Sequence, residues 1–311
     1  MNIVALAGGV GGAKLAHGLA QLLKSEELTV IVNTGDDFEH YGLYICPDLD
    51  TVSYTLAGLA NSYTGWGRAN ETWNAMENLS RLGGEDWFRL GDQDLGTHLE
   101  RTRRMKAGHL LSQITRDFCR AWRIDHTILP MSDQPVRTIV ETDEGELTFQ
   151  DYFVHRSCEP LVKGFRFDGA DRAEPAPGTR KAIESADAIV ICPSNPWVSI
   201  DPILKLISPI LSVREPKVRI FAVSPIIGGK TVKGPAAKMY SELGIDPSAL
   251  AVARHYRHLV TDFVLDTVDA QLIESVRGLS MRAHVTNTLM QSHEERKRLA
   301  RELLSLIGSD L

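Results

Sequence analysis

A glycine-rich turn between a short apolar run and an amphipathic stretch opens the chain and narrows the folds it can adopt. Residues 2–7 (NIVALA) and 28–33 (LTVIVN) are apolar runs typical of buried strands. Between them Leu15, Leu19 and Leu22 recur at the spacing of one helix face. Because two parallel strands need a crossover helix to join them, this order predicts a βαβ unit.

Three more apolar runs and one helical stretch extend the same pattern. The runs are HTILPM from residue 126, AIVICP from 188 and VRIFAV from 218, and PILKLISPIL lies between the last two. Strands that alternate with helices predict an α/β fold, Rossmann-like and doubly wound, with a mostly parallel sheet. Within residues 136–155, two strand-like segments flank the turn-forming DEG, which predicts an antiparallel hairpin added to that sheet and hence a mixed core.

The stretch from about residue 66 to 123 differs from the rest, because it is rich in Trp, Arg and Glu with helical spacing. We predict a helical insertion there. At the far end, Ser292 and Glu295 form a capping-box pattern before a leucine-bearing helix that Gly308 ends. Since the sequence shows no repeat and no clear linker, we predict one α/β domain over residues 1–311.

Composition and charge exclude several classes of function. The 311 residues are 43% hydrophobic and 24% charged, enough for a large core, and the formal net charge of -6 disfavours a nucleic-acid scaffold. The four cysteines are far apart and form neither a zinc-ligand spacing nor a disulfide framework. No apolar run approaches the roughly 20 residues that cross a bilayer. We therefore predict a cytoplasmic protein that acts on small molecules and binds neither nucleic acid nor membrane.

The opening turn matches no nucleotide motif in full. A P-loop needs glycine where Ala13 stands and a hydroxyl where Leu15 stands, and a dinucleotide fingerprint needs glycine at Lys14. A glycine-rich turn from strand to helix still lets backbone N–H groups approach an anion at the helix N-terminus. The predicted phosphate contacts are the glycines of this turn, Gly8, Gly9, Gly11 and Gly12. The alternative is a tight turn whose glycines serve packing alone.

Four aspartates follow the second apolar run. Asp36, Asp37, Asp48 and Asp50 all lie in the segment NTGDDFEHYGLYICPDLDTVSYTLAG. Loops after the carboxyl ends of parallel strands line the ligand crevice, so this segment should lie beside the glycine turn. Carboxylates beside a diphosphate suit Mg²⁺, and the candidate metal ligands are Asp36, Asp37 and Asp48. The alternative is that Asp36 and Asp37 build an Asx-type turn, while Asp48 or Asp50 caps a helix starting near Thr51.

Two later strand ends offer polar loops to the same crevice. Ser194 and Asn195 follow AIVIC and suit a base edge or a ribose, with turn geometry as the alternative for Asn195. Lys230 and Lys233 lie in a basic glycine loop after VRIFAV and could meet phosphate, with solubility as the alternative. The two histidines of RHYRH (254–258) lack a third ligand nearby, which favours a surface helix over a metal site.

Six segments, in order along the chain, carry a family resemblance. They are GGVGGAKL (8–15), NTGDDFEHYGLYICPDLDTVSYTLAG (33–58), FRLGDQDLGTH (88–98), ILPMSDQPVRTIVET (128–142), PSNPWVSI (193–200) and VSPIIGGKTVKGPAAKM (223–239). Together they resemble the 2-phospho-L-lactate transferase family of deazaflavin coenzyme F(420) biosynthesis, and the likeness runs from residue 1 to the last helix. Long motifs in one order are more specific than any single glycine loop.

The resemblance implies an activity and a set of site residues. The activity is Mg²⁺-dependent transfer of a phospholactyl-type group from a guanosine diphosphate ester to the terminal ribityl hydroxyl of the deazaflavin Fo, with release of GMP. By motif position, the deazaflavin contacts fall on Asp50 in PDLDT and Arg89 in FRLGDQD. The family also suggests a homodimer. The implied guanosine site takes in the glycine turn together with Asn33, Thr34, Asp36, Asp37, Ser194 and Asn195.

The predicted catalytic residues are Asp50 and Asp48. We expect Asp50 to bind the ribityl hydroxyl or to help deprotonate it, and Asp48 is the preferred metal ligand. Trp66 and Trp73 could cover the flat deazaflavin ring, although large aromatics are more often core residues. The competing class is a nucleotide-sugar-binding regulator without catalysis, similar to the gluconeogenesis-factor-like proteins that share the glycine turn. The sequence leaves open whether the donor carries a lactyl, enolpyruvyl or glyceryl group.

Overall fold

The computed structural model describes residues 1–213 and 218–309. Its strands are β1 (Ile3–Ala7), β2 (Leu28–Val32), β3 (Phe38–His40), β4 (Leu43–Ile45), β5 (Thr127–Pro130), β6 (Arg137–Thr142), β7 (Gly145–Thr148), β8 (Val162–Asp168), β9 (Ala188–Ile191), β10 (Arg219–Val223), β11 (Ile226–Ile227), β12 (Lys230–Thr231), β13 (Asp262–Asp266) and β14 (Arg282–Thr286). Its α-helices are α1 (Gly9–Ala20), α2 (Pro47–Leu56), α3 (Asn74–Arg81), α4 (Asp92–Lys106), α5 (Leu111–Ala121), α6 (Thr179–Glu184), α7 (Asp201–Val213), α8 (Ala236–Glu242), α9 (Ala249–His255), α10 (Ile273–Arg277) and α11 (His293–Gly308). The single domain predicted over residues 1–311 includes residues 214–217 and 310–311, which lie outside the described residues, and the division into domains stays a prediction.

Seven strands form one sheet in which every pairing is parallel. Their order is β14-β13-β10-β9-β1-β2-β5. Chain order reverses between β1 and β9, because β2 and β5 extend the sheet on one side while β10, β13 and β14 extend it on the other. The carboxyl ends of β1 and β9 therefore flank a topological switch point, where open α/β sheets bind their ligands.

Helices cover both faces of this sheet, as a doubly wound fold requires. On one face, α1 and α11 bury Leu15 and Leu299 in a core shared with β1 and β2. On the other face, α7 and α9 bury Ile207 and Val252. All residues of β1 are buried, because both sides of the strand are covered, and this explains the unbroken apolar run in the sequence. The predicted α/β class and doubly wound parallel sheet are confirmed.

The predicted antiparallel hairpin exists, but it does not join the main sheet. β6 and β7 pair antiparallel, and the other edge of β6 pairs with β8 to give a separate sheet in the order β7-β6-β8. The expectation of a mixed main sheet was therefore wrong. Residues of β6 alternate between buried and half-buried, so only one face of this strand is fully covered, whereas a strand of the main sheet is covered on both.

Helices α3, α4 and α5 occupy most of the stretch predicted as a helical insertion. α4 packs beside the small β3–β4 hairpin, where the Thr102 hydroxyl accepts a hydrogen bond of 2.8 Å from the backbone N–H of Tyr44. This packing places the inward face of α4 close to α2. At the other end of the chain, Ser292 caps α11 and shares a capping box with Glu295, as the sequence predicts.

One helical stretch, Pro196–Val213, is long and apolar enough to cross a membrane by length and composition alone, and half of it is buried inside the protein. Its Ile203, Ile207 and Ile210 side chains lie in the core beneath the sheet. A core helix of a folded domain has the same length and composition. The cytoplasmic location stays a prediction.

Candidate active site

A cavity of about 840 Å³ opens at the switch point, beside the carboxyl ends of β1, β9 and β10. Its walls come from the glycine turn, α2, the insertion, two short helical segments (Asp151–His155 and Pro196–Ile200) with the residues just before each of them, and the loop around β12. Of the site residues predicted from sequence, those lining the cavity are Gly8, Gly9, Gly11, Asp36, Asp48, Asp50, Arg89, Ser194 and Asn195. The others, Gly12, Asn33, Thr34, Asp37 and Lys230, lie outside this lining. The structure thus brings the predicted donor and acceptor residues to one cavity.

The glycine turn packs closely against the loop after β9 and also lines the cavity. Gly8 is extended, and Gly9 begins α1 with a φ of +60°, a conformation that favours glycine. A Cβ on Gly11 would lie 2.1 Å from the carbonyl oxygen of Pro193, so this glycine is required for α1 to approach the loop after β9. Ser194 fixes that approach, because its hydroxyl donates to the Gly8 carbonyl at 2.8 Å. Packing therefore explains Gly11, while Gly8 and Gly9 face the cavity.

Asp48 lies at the N-terminus of α1, although it belongs to another helix. Its Oδ1 accepts a hydrogen bond of 2.7 Å from the backbone N–H of Gly9, and its Oδ2 accepts one of 2.9 Å from Asn33 Nδ2. Burial raises the pKa of Asp48 to about 6, although both of these hydrogen bonds oppose the shift. α2 begins at Pro47, so Asp48 and Asp50 lie in its first turn and neither is its N-cap, in contrast to the alternative drawn from sequence.

Asp36 is the second buried carboxylate on this side of the cavity. Burial raises its pKa well above the ordinary range, and the negative charge of Asp48 adds to the effect. Its Oδ1 atom is buried and has no hydrogen-bond partner among the described residues. Two buried carboxylates that repel each other, with an oxygen left without a donor, are a donor set that a hard divalent cation would satisfy.

Asp37 and Asn33 are buried near this pair but lie outside the cavity lining, and both oxygens of Asp37 lack a hydrogen-bond partner among the described residues. Asp37 is buried outside the cavity lining, and burial raises its pKa to about 7 against the positive charge of Arg137. The Asx-type turn suggested for Asp36 and Asp37 forms at Asn33 instead, whose Oδ1 accepts from the backbone N–H of Gly35 at 2.8 Å. The same Asn33 side chain donates to Asp48, so it orients a site residue without lining the cavity.

Asp50 lies deeper in the cavity and forms a buried ion pair that the sequence analysis missed. Arg101 donates to both of its carboxylate oxygens, from Nη1 to Oδ2 at 3.1 Å and from Nη2 to Oδ1. Burial raises the pKa of Asp50, with the charge of Arg101 opposing the shift. Arg101 comes from α4, and the only sequence signal was the placement of Asp94, His98 and Arg101 on one helix face.

Ligand atoms of Asp50, Asp94 and His98 lie within 4.8 Å of one another, a spacing that could also hold a metal ion. The Arg101 guanidinium already contacts both oxygens of Asp50 and brings a positive charge to the same place. A cation is therefore better placed between Asp36 and Asp48, where the structure describes no such countercharge in contact.

Aromatic side chains form the opposite wall of the cavity. Phe149 and Phe153 lie with ring centroids 5.4 Å apart at an angle of 12°, and Trp87 and Phe88 of the insertion face the same space. From the sequence, the residues suggested to cover the flat ring were Trp66 and Trp73 instead. Trp66 does line the cavity. Trp73 is placed differently: the guanidinium of Arg89 lies 4.4 Å from its ring centroid, so it supports Arg89 rather than the cavity wall.

The two lysines of the basic glycine loop have different positions. Lys233 lines the cavity and donates to the backbone carbonyls of Tyr63 and Thr64, which ties this loop to the insertion. Lys230 is exposed and lies outside the cavity lining. His255 pairs with Asp201 at 2.9 Å, and among the described residues it belongs to no metal-binding cluster.

Comparison with known proteins gives a consistent result. Residues 3–306 match the family described as 2-phospho-L-lactate transferase CofD. A phosphoenolpyruvate transferase of Streptomyces griseus is 43% identical, covering 98% of each chain. A 2-phospho-L-lactate transferase of Methanosarcina acetivorans is 38% identical, covering 99% of each chain. A crystal structure of a UPF0052 family protein from Bacillus halodurans has the same fold, with a TM-score of 0.62 at 15% identity over 97% of this chain and 98% of that one.

Proposed function

Since the chain belongs to the 2-phospho-L-lactate transferase family of transferases in coenzyme F(420) biosynthesis, we propose that it moves a phospholactyl-type group from a guanosine diphosphate ester to the terminal ribityl hydroxyl of the deazaflavin Fo and releases GMP. The observation that carries the proposal is one continuous cavity with two chemically different ends. A glycine turn and buried carboxylates form one end, and an aromatic wall with Asp50 and Arg89 forms the other. Such a cavity suits a nucleotide donor and a flat acceptor side by side.

The donor end has the polarity that a nucleotide diphosphate needs. The N-terminus of α1 and the ammonium of Lys14 supply positive charge, and Lys14 lies one helical turn after Val10 on the face that lines the cavity. Burial and the neighbouring Arg296 lower the pKa of Lys14. A phosphate beside Lys14 would raise this pKa again, because it would stabilise the charged ammonium. Ser194 and Asn195 then face the ribose or the base.

Asp36 and Asp48 are the residues that would hold Mg²⁺. They fit the ion because both are buried at the cavity, both have raised pKa values, and Oδ1 of Asp36 has no donor among the described residues. When bound, Mg²⁺ would neutralise the diphosphate and the negative charge that develops during transfer. Asp37, outside the lining and near Arg137, is not retained as a ligand.

The acceptor end would bind the deazaflavin. The ring system would lie against Phe149, Phe153 and Trp87, while Arg89 and Asp50 make polar contacts. Asp50 keeps lone pairs beyond those that Arg101 uses, and burial raises its basicity, so it can accept a hydrogen bond or the proton of the ribityl hydroxyl.

The transfer itself is a substitution at phosphorus. The ribityl oxygen attacks the phosphorus that carries the three-carbon acid, the bond from this phosphorus to the bridging oxygen breaks, and GMP leaves. The hydroxyl proton passes to Asp50. The chain contributes mainly by holding the two reactants in line in a cavity that limits access of water.

We further propose that the transferred group is the enolpyruvyl type, giving a phosphoenolpyruvyl product. Support comes from the relatives called phosphoenolpyruvate transferase, which are 43%, 41% and 40% identical to this chain, against 38% for the one called 2-phospho-L-lactate transferase. The lactyl and enolpyruvyl groups differ by two hydrogens, so the preference has to be measured.

The test is an incubation of the purified protein with Fo, Mg²⁺ and either lactyl or enolpyruvyl diphosphoguanosine. We expect a new phosphodiester of Fo by mass spectrometry, with an equal amount of GMP, and a higher kcat/KM for the enolpyruvyl donor. Product from neither donor, together with retained binding of a guanosine or uridine nucleotide, would favour the non-catalytic regulator. Faster transfer from the lactyl donor would overturn only the assignment of the three-carbon group.

A further inference from the structure

A row of polar side chains lies beside Asp50, and three of its members, Tyr54, Asp94 and His98, also line the cavity without a role in the transfer described above. Arg101, His98 and Asp94 project from one face of α4 toward α2, where Tyr54 completes the row. Arg101 and His98 are each only 2% exposed. Buried polar groups are costly unless each has a defined partner, so the direction of every hydrogen bond in this row can be examined.

The position of Arg101 determines which nitrogen of His98 carries a proton. Nη1 of Arg101 lies 3.2 Å from Nδ1 of His98, within hydrogen-bond distance. A guanidinium has donors and no acceptor, so a hydrogen bond at this distance requires Nδ1 to accept and to be unprotonated. The hydrogen of a neutral ring is then on Nε2, which lies 3.4 Å from Oδ1 of Asp94 but makes no hydrogen bond among the described residues. Nδ1 is also 3.7 Å from Oδ2 of Asp50, too far for a direct hydrogen bond.

At the far end of the row, hydrogen bonds of Tyr54 hold Asp94. The Tyr54 hydroxyl donates to Oδ1 of Asp94 at 2.5 Å and lies 2.9 Å from the hydroxyl of Thr97. Nη1 of Arg101 has two hydrogens and three acceptors, which are Oδ2 of Asp50 at 3.1 Å, Nδ1 of His98 at 3.2 Å and the carbonyl of Tyr44 at 3.3 Å. His98 and Tyr44 therefore hold the plane of the guanidinium against rotation, and the guanidinium in turn holds the carboxylate of Asp50.

We propose that His98 is a positioning residue of the acceptor site: as the Nε2–H tautomer it accepts from Arg101 through Nδ1 and thereby fixes the orientation of the Asp50 carboxylate toward the attacking hydroxyl. This inference rests on the proposed function for its catalytic consequence. The tautomer and the row of contacts do not depend on that function. A metal ion on Asp50, Asp94 and His98 would need Nδ1 or Nε2 free of hydrogen, and is the main competing interpretation.

The first test measures the ring nitrogens of His98 in the ligand-free protein. ¹⁵N-labelled protein at neutral pH would be examined by long-range ¹H–¹⁵N NMR, with His98 assigned from the spectrum of His98→Asn. We expect a protonated Nε2 and an unprotonated, hydrogen-bonded Nδ1. A protonated Nδ1, or a ring with both nitrogens protonated, would overturn the inference. So would the large shift of one His98 nitrogen that direct coordination of added Zn²⁺ causes, because it would place a metal on this cluster.

The second test uses two amides that replace different halves of the imidazole. In His98→Asn the amide oxygen can take the place of Nδ1 and still accept from Arg101, whereas in His98→Gln the amide lies farther out, near the place of Nε2. We expect His98→Gln to lower kcat roughly tenfold to hundredfold with little change in the donor KM, and His98→Asn to recover most of that loss. His109→Gln, in the exposed turn after α4, is the matched control and should behave as wild type.

The possible failures can be told apart. Equal losses in His98→Asn and His98→Gln, or no loss in either, with wild-type melting temperatures, would show that the Arg101 contact does not set the rate. If the wild-type protein itself makes no product from Fo, the proposed function fails, and the NMR measurement alone decides the tautomer. Loss of the folded state in both variants would leave the NMR measurement on the wild-type protein as the deciding experiment, with His98 then assigned through bonds from its backbone resonances.

Discussion

At the scale of single residues, Asp48 connects the glycine turn to the proposed metal site. It accepts from Gly9 and from Asn33, and its charge raises the pKa of Asp36. Asp48→Asn keeps the shape and removes the charge, so we expect the Mg²⁺ concentration needed for half-maximal GMP release to rise about tenfold or more. A titration of activity with Mg²⁺ measures this.

Asp37→Asn is the matched control for that prediction. Asp37 is equally buried but lies outside the cavity lining, and burial raises its pKa to about 7, so an uncharged amide is a mild change there. Its Mg²⁺ dependence should stay close to that of wild type. The same shift in both variants would mean that the charge of the whole region, rather than Asp48 as a ligand, controls Mg²⁺ binding.

The residues that sequence alone could place are those next to strand ends. Gly8, Asp48 and Ser194 were predicted to meet because carboxyl ends of parallel strands share one edge of the sheet, and they do. Arg101 and His98 were not predicted, because their contacts depend on how α4 packs against α2, some fifty positions away in the chain. Nothing in the local pattern of α4 states which helix its polar face will meet.

At the scale of secondary-structure elements, the close approach of α1 to the loop after β9 builds the donor end of the cavity. A Cβ at position 11 would lie 2.1 Å from the backbone oxygen of Pro193, so Gly11→Ala forces the helix and the loop apart. We expect a loss of about 1–3 kcal/mol in the free energy of unfolding, together with weaker guanosine nucleotide binding. Urea denaturation and a binding titration measure the two effects.

Gly96→Ala provides the control, because it is also a glycine-to-alanine change inside a helix. Gly96 lies in α4 with nothing within 4 Å of an added Cβ. Alanine there should raise stability by about 0.5–1 kcal/mol through its higher helix propensity. If Gly11→Ala proved as stable as Gly96→Ala and bound nucleotide as well as wild type, the close approach would not be needed.

Strands with an unbroken apolar run were predicted from the sequence, whereas strands that begin with a charged residue were not. β1, β2, β9 and β10 have unbroken apolar runs. β13 and β14 begin with Asp262 and Arg282 and were not predicted, because a charged residue at the start of a strand resembles the composition of a loop. The start of α2 at Pro47 was predictable in principle, since proline favours the first turn of a helix.

At the scale of the whole molecule, the candidate site lies at the carboxyl ends of the sheet strands, and a cluster of ion pairs lies at their amino ends. The carboxyl ends of β1 and β9 open to the cavity. At the amino ends of β10, β13 and β14, Asp262 is fully buried and pairs with Arg219, Arg282 and His284. The order of strands was predicted only as far as the first βαβ unit, because the direction in which later strands extend the sheet has no local signature.

The ion cluster around Asp262 predicts how the fold responds to acid. Burial alone would raise the pKa of Asp262, but hydrogen bonds from His284, Arg219 and Thr261 outweigh it and hold this pKa well below its usual range. A carboxyl group whose pKa is lower in the folded state stabilises the fold fully above its unfolded pKa of about 3.9, and the contribution falls by about 1.4 kcal/mol per pH unit from there until the pH passes the lower, folded pKa. Asp262→Asn should therefore cost about 3 kcal/mol at pH 7, where Arg219, Arg282 and His284 lose their buried anion, and about 1 kcal/mol less than that at pH 3. Urea midpoints at both pH values measure this. The control is Asp168→Asn, on the exposed edge of β8, which should change stability by less than about 0.5 kcal/mol. An Asp262→Asn protein whose loss of stability is the same at pH 3 as at pH 7 would show that the cluster contributes packing rather than charge.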